Sequence, residues 1–284
     1  MPCVGYLFIL AAAAAWALIG PVAKFAFAAG LSPLEVAFFR ALLGGAFFAL
    51  HAFFLRRFRL DRGVVFPVLL FGAVGVAGFY ASYQLAVAYG GAALASVLLY
   101  TAPAWVAAMG ALWLGERLDG AKTAAVAFTL AGVTLLGWGA GGELRFTLLG
   151  LFFGLLAGFG YALYYLFGKL YFARYPAEAV YAVAMPVGAV FLFPFVRSVP
   201  GDPRVWGVLF VIGFVSTYLA YAFYAAGLLR LEATRASVVA TLEPVLASLF
   251  AYLWWGERFS PVGYLGAGLV LLAVLLVVFG SRPR

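Results

Sequence analysis

The chain has 284 residues, 67% of them hydrophobic and 10% charged, with a net charge of +8 at pH 7 and a mean hydropathy of +1.10. So little polar surface cannot coat a water-soluble globule of this length, which excludes a soluble enzyme or binding domain and makes lipid the main solvent. A single Cys3 and a single His51 allow no internal disulfide and no Cys/His metal cluster, so neither a metal nor another cofactor is expected.

A helix crossing the hydrocarbon layer needs about 20 apolar residues. Ten such stretches fit between the charged or turn-rich breaks, at 4–28, 33–54, 64–88, 92–114, 121–139, 147–170, 177–196, 205–229, 233–255 and 261–280. They use nearly the whole chain and predict an all-α integral membrane protein of about ten transmembrane helices, one transmembrane domain over 1–284.

The first stretch lacks the positive n-region of a secretory leader and is followed at once by another of membrane length, so it reads as a retained helix. It carries Trp16 and ends near Lys24, which, like Lys169 at the end of the sixth, reads as an interfacial anchor. The second holds Glu35 and, about one turn later, Arg40, deeper than the loop arginines; an ion pair or gate is the expectation. His51, near its other end, reads as interfacial.

In the third, Gly72, Gly75 and Gly78 recur every third residue, and Tyr80 and Tyr83 share one helical face. The fourth contains Tyr100, Pro103 and Trp105 and ends at Gly115-Glu116-Arg117. The sixth brings Gly150, Gly154 and Gly158 at every fourth position, a smooth strip for close helix packing, then Tyr161, Tyr164 and Tyr165. Tyr221 and Tyr224 lie in the eighth, Glu243 and Pro244 in the ninth.

With the N-terminus inside, twelve basic residues fall on the cytoplasmic side: Arg56, Arg57, Arg59, Arg62, Arg117, Lys122, Lys169, Arg174, Arg230, Arg235, Arg282 and Arg284. Five fall outside: Lys24, Arg145, Arg197, Arg204 and Arg258. The positive-inside rule favours this orientation. A multi-pass protein of the inner (plasma) membrane with both termini cytoplasmic is expected. The charges form no continuous basic stripe, so no nucleic-acid partner is expected.

The chain also matches itself. Ala95-Ser96-Val97 returns as Ala236-Ser237-Val238, Pro103 as Pro244, Trp113 as Trp254, and Tyr80 and Tyr83 as Tyr221 and Tyr224, always 141 residues on. Gly115-Glu116-Arg117 returns as Gly256-Glu257-Arg258 at the same offset. Residues 1–140 and 146–284 are thus two five-helix repeats, and an odd number of crossings per repeat inverts the second relative to the first. Inverted repeats are the architecture of alternating access around a midplane site.

The helix-end stretches Pro103 to Glu116 and Leu242-Glu243-Pro244-Val245 to Glu257, in this ten-helix repeat, resemble the EamA family of the drug/metabolite transporter superfamily across essentially the whole chain. The resemblance implies export or exchange of amino acids, related metabolites or amphipathic drugs. Its motifs specify the superfamily better than the substrate, and Glu243 has no acidic counterpart, since Ala102 occupies the equivalent place.

Glu243, in mid-helix, is costly in lipid and should face protein or water, attracting an amine or exchanging a proton; a fixed structural carboxylate is the alternative. Pro103 and Pro244 are candidate kinks that free backbone carbonyls. An aromatic-lined pocket is expected from Trp16, Tyr80, Tyr83, Tyr100, Trp105, Tyr161, Tyr164, Tyr221 and Tyr224 around Glu243, built by helices one, three, four, six, eight and nine. Each ring has packing or interface-belt service as its alternative.

No Walker loop is present, so a gradient or exchange would drive transport. The expected partners are a small-molecule substrate and membrane lipid, and the expected state is a monomer. A membrane enzyme or flippase acting on lipid-linked substrates, or a non-transporting scaffold, are the competing classes.

Overall fold

The computed structural model describes residues 2–139, 146–256, 258 and 260–280; Arg145, Glu257, Arg282 and Arg284, assigned above to loops and ends, lie outside the described residues. Among the described residues the regular elements are all helical. In chain order they are α1 (Pro2–Ala17), α2 (Ile19–Ala28), α3 (Pro33–Phe54), α4 (Arg62–Leu70), α5 (Phe79–Leu99), α6 (Ala102–Trp113), α7 (Gly120–Gly139), α8 (Leu148–Tyr171), α9 (Ala177–Leu192), α10 (Pro203–Gly213), α11 (Ala220–Leu228), α12 (Ala233–Ala240), α13 (Leu242–Trp255) and α14 (Pro261–Phe279).

These group into ten crossings whose ends lie within a few residues of the sequence-derived ones, such as Cys3–Ala28 and Pro33–Phe54. The apolar run Arg62–Leu99 is 38 residues long, and at about 1.5 Å per residue it would span nearly twice the hydrocarbon layer. Gly91, at φ +82°, breaks it. The left-handed region costs an L side chain far more than glycine, so the chain ends its third crossing and begins its fourth here. The short α6 completes the fourth.

The two halves share their irregularities. The third crossing contains the π-helical turn Phe71–Gly78 and the eighth contains Phe214–Leu219. The fourth breaks at Tyr100–Thr101 and the ninth at Thr241, one repeat apart. In both breaks a threonine donates its hydroxyl to the carbonyl three residues back that also accepts its own N–H: Thr101 Oγ1 to Leu98 O at 2.6 Å and Thr241 Oγ1 to Val238 O at 2.5 Å.

The two prolines expected as kinks follow these breaks within one turn. Pro103 and Pro244 fall in the first turns of α6 and α13, where a missing N–H has no intrahelical partner to lose. Each proline opens a helix after the break and does not bend a helix interior.

Small residues set the tightest packing. A Cβ on Gly158 would stand 2.5 Å from the Leu98 carbonyl oxygen, and one on Gly150 would stand 2.9 Å from Gly90 Cα, so the glycine strip of α8 lies directly on α5. Gly132 of α7 and Gly266 of α14 meet in the same way, each facing the other's carbonyl oxygen.

Candidate functional site

A cavity of about 640 Å³ enters the bundle between the two halves. Trp16 and Arg40 reach it from the first and second crossings, Tyr80 and Tyr83 from the third, and Tyr100 from the fourth. Tyr161, Tyr221 and Glu243 complete it from the sixth, eighth and ninth. All six helices expected to build the site contribute, and the second joins them. The lining continues to Phe27, Pro33, Val87 and Ala251, at the end of the bundle where α2 turns into α3.

Glu243 is the one acidic side chain in the lining. It lies in the first turn of α13, beside the Thr241 break, where the helix dipole favours a negative charge. Tyr100 is the hydroxyl beside its carboxyl, and among the described residues no cation stands within 4.0 Å of it.

Arg40 is fixed from two sides. Its Nε donates to Thr217 Oγ1 at 3.0 Å, and its guanidinium lies 4.8 Å from the Tyr80 ring centroid, a cation–π distance. Thr217 belongs to the second π-helical turn and donates in turn to Ile212 O at 3.0 Å. The irregular turn aims this hydroxyl inward, and neither Thr217 nor its role was read from the sequence.

Glu35 and Arg40 do not pair. Glu35 closes a capping box, accepting the Ser32 N–H at 2.7 Å while Ser32 Oγ accepts the Glu35 N–H at 3.3 Å. Its other oxygen accepts the Arg197 and Ser198 amides at 2.9 and 3.1 Å. Three backbone N–H groups thus occupy its carboxylate at the helix start, away from the deeper guanidinium.

Three further rings stand elsewhere than expected. Trp105, 38% exposed, packs edge-on against Phe159 and is not in the cavity wall. Tyr164 and Tyr224 are fully buried beneath it, in a cluster where Tyr164 stacks on Tyr221 at 5.3 Å and Trp16 meets Tyr224 at 5.6 Å. Tyr181, not singled out from the sequence, joins them 5.2 Å from Tyr221. The Tyr161 and Tyr165 hydroxyls lie beside one another, and that of Tyr221 lies beside those of Tyr80 and Tyr164, whereas those of Tyr181 and Tyr224 have no hydrogen-bond partner among the described residues.

The opposite end of the bundle is tied shut. Glu116, at the end of the fourth crossing, accepts the Ala233 and Thr234 N–H groups and the Thr234 hydroxyl, the last at 2.7 Å. It thereby caps α12, whose first N–H groups lack intrahelical partners. Lys122 lies 2.9 Å from Glu232 and Arg235 lies 2.6 Å from it. Arg235 also donates to Tyr6, which donates to Val277 O. Crossings one, four, five, nine and ten meet in this knot.

A second hollow of about 720 Å³, rimmed by Arg56, Arg57, Arg59, Arg174 and Arg230, lies between α3, the turn before α9 and α11. His51 lines it and sits 3.2 Å from the Tyr218 hydroxyl. Among the described residues no group of three or more His, Cys, Asp or Glu could hold a metal ion.

Ten helical crossings among the described residues, irregularities shared by the two halves and an aromatic cavity between them define a multi-pass helical membrane protein built of two related halves. The fold is similar to a solved chain described as "Crystal structure of protein", with a TM-score of 0.84 at 22% identity over 98% of this chain and 97% of that one. The model of the EamA-like transporter family matches residues 4–138 and 148–279, one match per half, and the chain belongs to that family. Its relatives include "Uncharacterized transporter YwfM" of Bacillus subtilis (strain 168), 29% identical over 98% of this chain and 95% of the relative. Another is "Probable amino-acid metabolite efflux pump" of Escherichia coli (strain K12), 28% identical over 68% of this chain and 69% of the relative.

Proposed function

We propose that this protein is a secondary transporter that exports or exchanges amino acids or related amphipathic solutes across the inner membrane by alternating access. The observation that carries the reading is the cavity between the repeats, walled by both halves, extending to one end of the bundle and sealed at the other by the Glu116 and Glu232 knot. With both termini cytoplasmic, this is the state open to the outside. Exchange to the inward state requires the Glu116–Thr234 contacts to part while the walls around Lys24 and Val87 close, a rearrangement the inverted repeat makes accessible to both halves. The relative named as an amino-acid metabolite efflux pump supports the substrate class.

Counterflow in proteoliposomes with a mixed amino-acid and metabolite panel, with and without an imposed pH gradient, tests it. Accelerated exchange of particular solutes is expected. Correctly folded protein that moves nothing across the panel would favour the scaffold class and end the transporter reading. A gradient that drives net flux in the native protein but not in a Glu243→Gln variant that still exchanges solute assigns coupling to Glu243.

A further inference from the structure

Two opposite charges face the same apolar cavity without meeting. Arg40 comes from the second crossing, in the first half, and Glu243 from the ninth, in the second half. No ion pair joins them within 4.0 Å. Half-buried charges on an apolar wall are costly unless paired, and here each is paired only with hydroxyls and a ring.

We infer that the pair is a clamp for a free α-amino acid: Arg40 receives its carboxylate, Glu243 its ammonium, and the surrounding rings its side chain. The inference rests on the transport reading above and adds to it how the substrate is recognised.

The geometry of Arg40 suits the task. Only Nε is spent, on Thr217, so the two terminal nitrogens remain for a bidentate carboxylate, which a lysine could not hold in the same way. The Tyr80 ring, its centroid 4.8 Å from the guanidinium carbon, holds the group from its other side. Glu243, at the start of α13, is presented by a helix end and held beside Tyr100. Tyr80 and Tyr161 line the same cavity and bring hydroxyls that can bond the same polar groups.

The charge balance selects for a zwitterion. One guanidinium and one carboxylate cancel, so a ligand carrying both charges satisfies both, whereas a ligand with one charge leaves the other group buried and unpaired. Lys24 also lines the cavity, toward its open end. The cavity volume of about 640 Å³ falls in the usual range of small-molecule sites, about 300 to 1,000 Å³.

The test compares, on the native protein in proteoliposomes, counterflow of free phenylalanine and leucine with their N-acetyl derivatives, which lack the ammonium, and with phenethylamine and isoamylamine, which lack the carboxylate. Discrimination of at least about tenfold against each analogue is expected, since a site built around a polar group rejects ligands lacking it. Glu243→Gln should lower exchange of the free amino acids to the level of the acetylated ones and leave the latter nearly unchanged. Arg40→Lys should do the same relative to the amines, and melting curves in detergent show that each variant is folded.

Analogues carried as well as the free amino acids, or variants that lower every ligand equally, overturn the clamp while the transporter reading stands. No flux of any solute overturns both. The native comparison needs no variant, so it decides the matter even if Arg40→Lys does not fold.

Discussion

Glu116 and Thr234 bind the two halves of the chain at one end: a single carboxylate oxygen accepts both the Thr234 hydroxyl, at 2.7 Å, and its backbone N–H, at 3.1 Å. The other oxygen accepts the N–H of Ala233. Replacing the carboxylate by an amide turns one acceptor into a donor that faces N–H groups. Glu116→Gln should therefore weaken the closed end by about 1–3 kcal/mol and raise the population of the state open there. A cysteine placed at Ser237, buried just behind the contact, should then react faster with a water-soluble maleimide. An unchanged labelling rate would show that Glu116 does not hold this end.

The neighbouring ion pairs give the same end an acid sensitivity. Burial pushes the Glu232 carboxyl up, and the hydrogen bonds and charges of Lys122 and Arg235 more than offset this, holding it below its ordinary value of 4.5. A carboxyl lowered in the folded state contributes its stability fully above 4.5 and loses it as pH falls through the folded value. Glu232 is 39% exposed, so solvent screening keeps the contribution below about 1 kcal/mol. The melting temperatures of native protein and Glu232→Gln, compared from neutral pH down through 4.5, should differ at the upper end and converge at the lower. A gap that stays constant with pH would remove Glu232 from this role.

Gly115 and Gly256 sit one repeat apart with φ of +66° and +68°, and neither has an atom within 4 Å of where a Cβ would stand. Crowding is thus absent and only the backbone preference remains, so Gly115→Ala should cost about 1–2 kcal/mol. Gly115→Asn should cost less, because asparagine visits the left-handed region more readily. Thermal unfolding in detergent distinguishes the two. Equal loss in both variants would mean that the side chain itself, not φ, does the damage.

Much of this was visible before any coordinates. Apolar length located the ten crossings, because the hydrocarbon layer imposes a fixed minimum on each. The repeat was visible because its landmarks are glycines, prolines and tyrosines whose backbone or packing roles recur in both halves. Tyr80, Tyr83 and Tyr221 reach one cavity, while Tyr224, the repeat partner of Tyr83, is buried beneath it.

Facing was harder to read. In a helix that is apolar all round, nothing in the spacing separates the ring that meets lipid from the ring that meets the core. Trp105 and Tyr161 look alike in sequence, yet Trp105, in the short α6 after the Tyr100–Thr101 break, packs on Phe159 while Tyr161 lines the cavity. The Glu35–Arg40 expectation failed for a different reason. A local spacing suggested a partner, while the actual partners, the Arg197 and Ser198 amides, are remote in sequence. Thr217 stayed hidden because its inward aim comes from a π-helical turn that has no residue signature.

Glu35 then has a structural job whose loss can be told apart from a transport defect. It holds the start of α3 through Ser32 and the segment after the seventh crossing through two amides. Glu35→Ala should cost about 0.5–2 kcal/mol, the range for losing a cap, and should shorten the lifetime of native protein in detergent. Because Glu35 does not touch Arg40, the relative exchange of free, acetylated and decarboxylated ligands should be the same as in native protein. A changed ligand ranking in folded Glu35→Ala would place Glu35 in the gate after all.

Close packing gives the sharpest contrast between two changes at glycine. A Cβ on Gly158 would lie 2.5 Å from both the Leu98 carbonyl oxygen and Thr101 Oγ1, while one on Gly207, in α10, would meet nothing within 4 Å. The first contact is with backbone, which cannot swing aside, and it also presses on the hydroxyl that seals the Tyr100–Thr101 break. Gly158→Ala should therefore force α8 off α5 and cost at least the about 1–3 kcal/mol typical of overpacking, whereas Gly207→Ala should be tolerated or slightly stabilising. Paired melting curves of the two variants decide it. If Gly158→Ala melts with the native protein, α5 and α8 have room to slide there, and the glycine strip is a moving joint instead of a fixed seam.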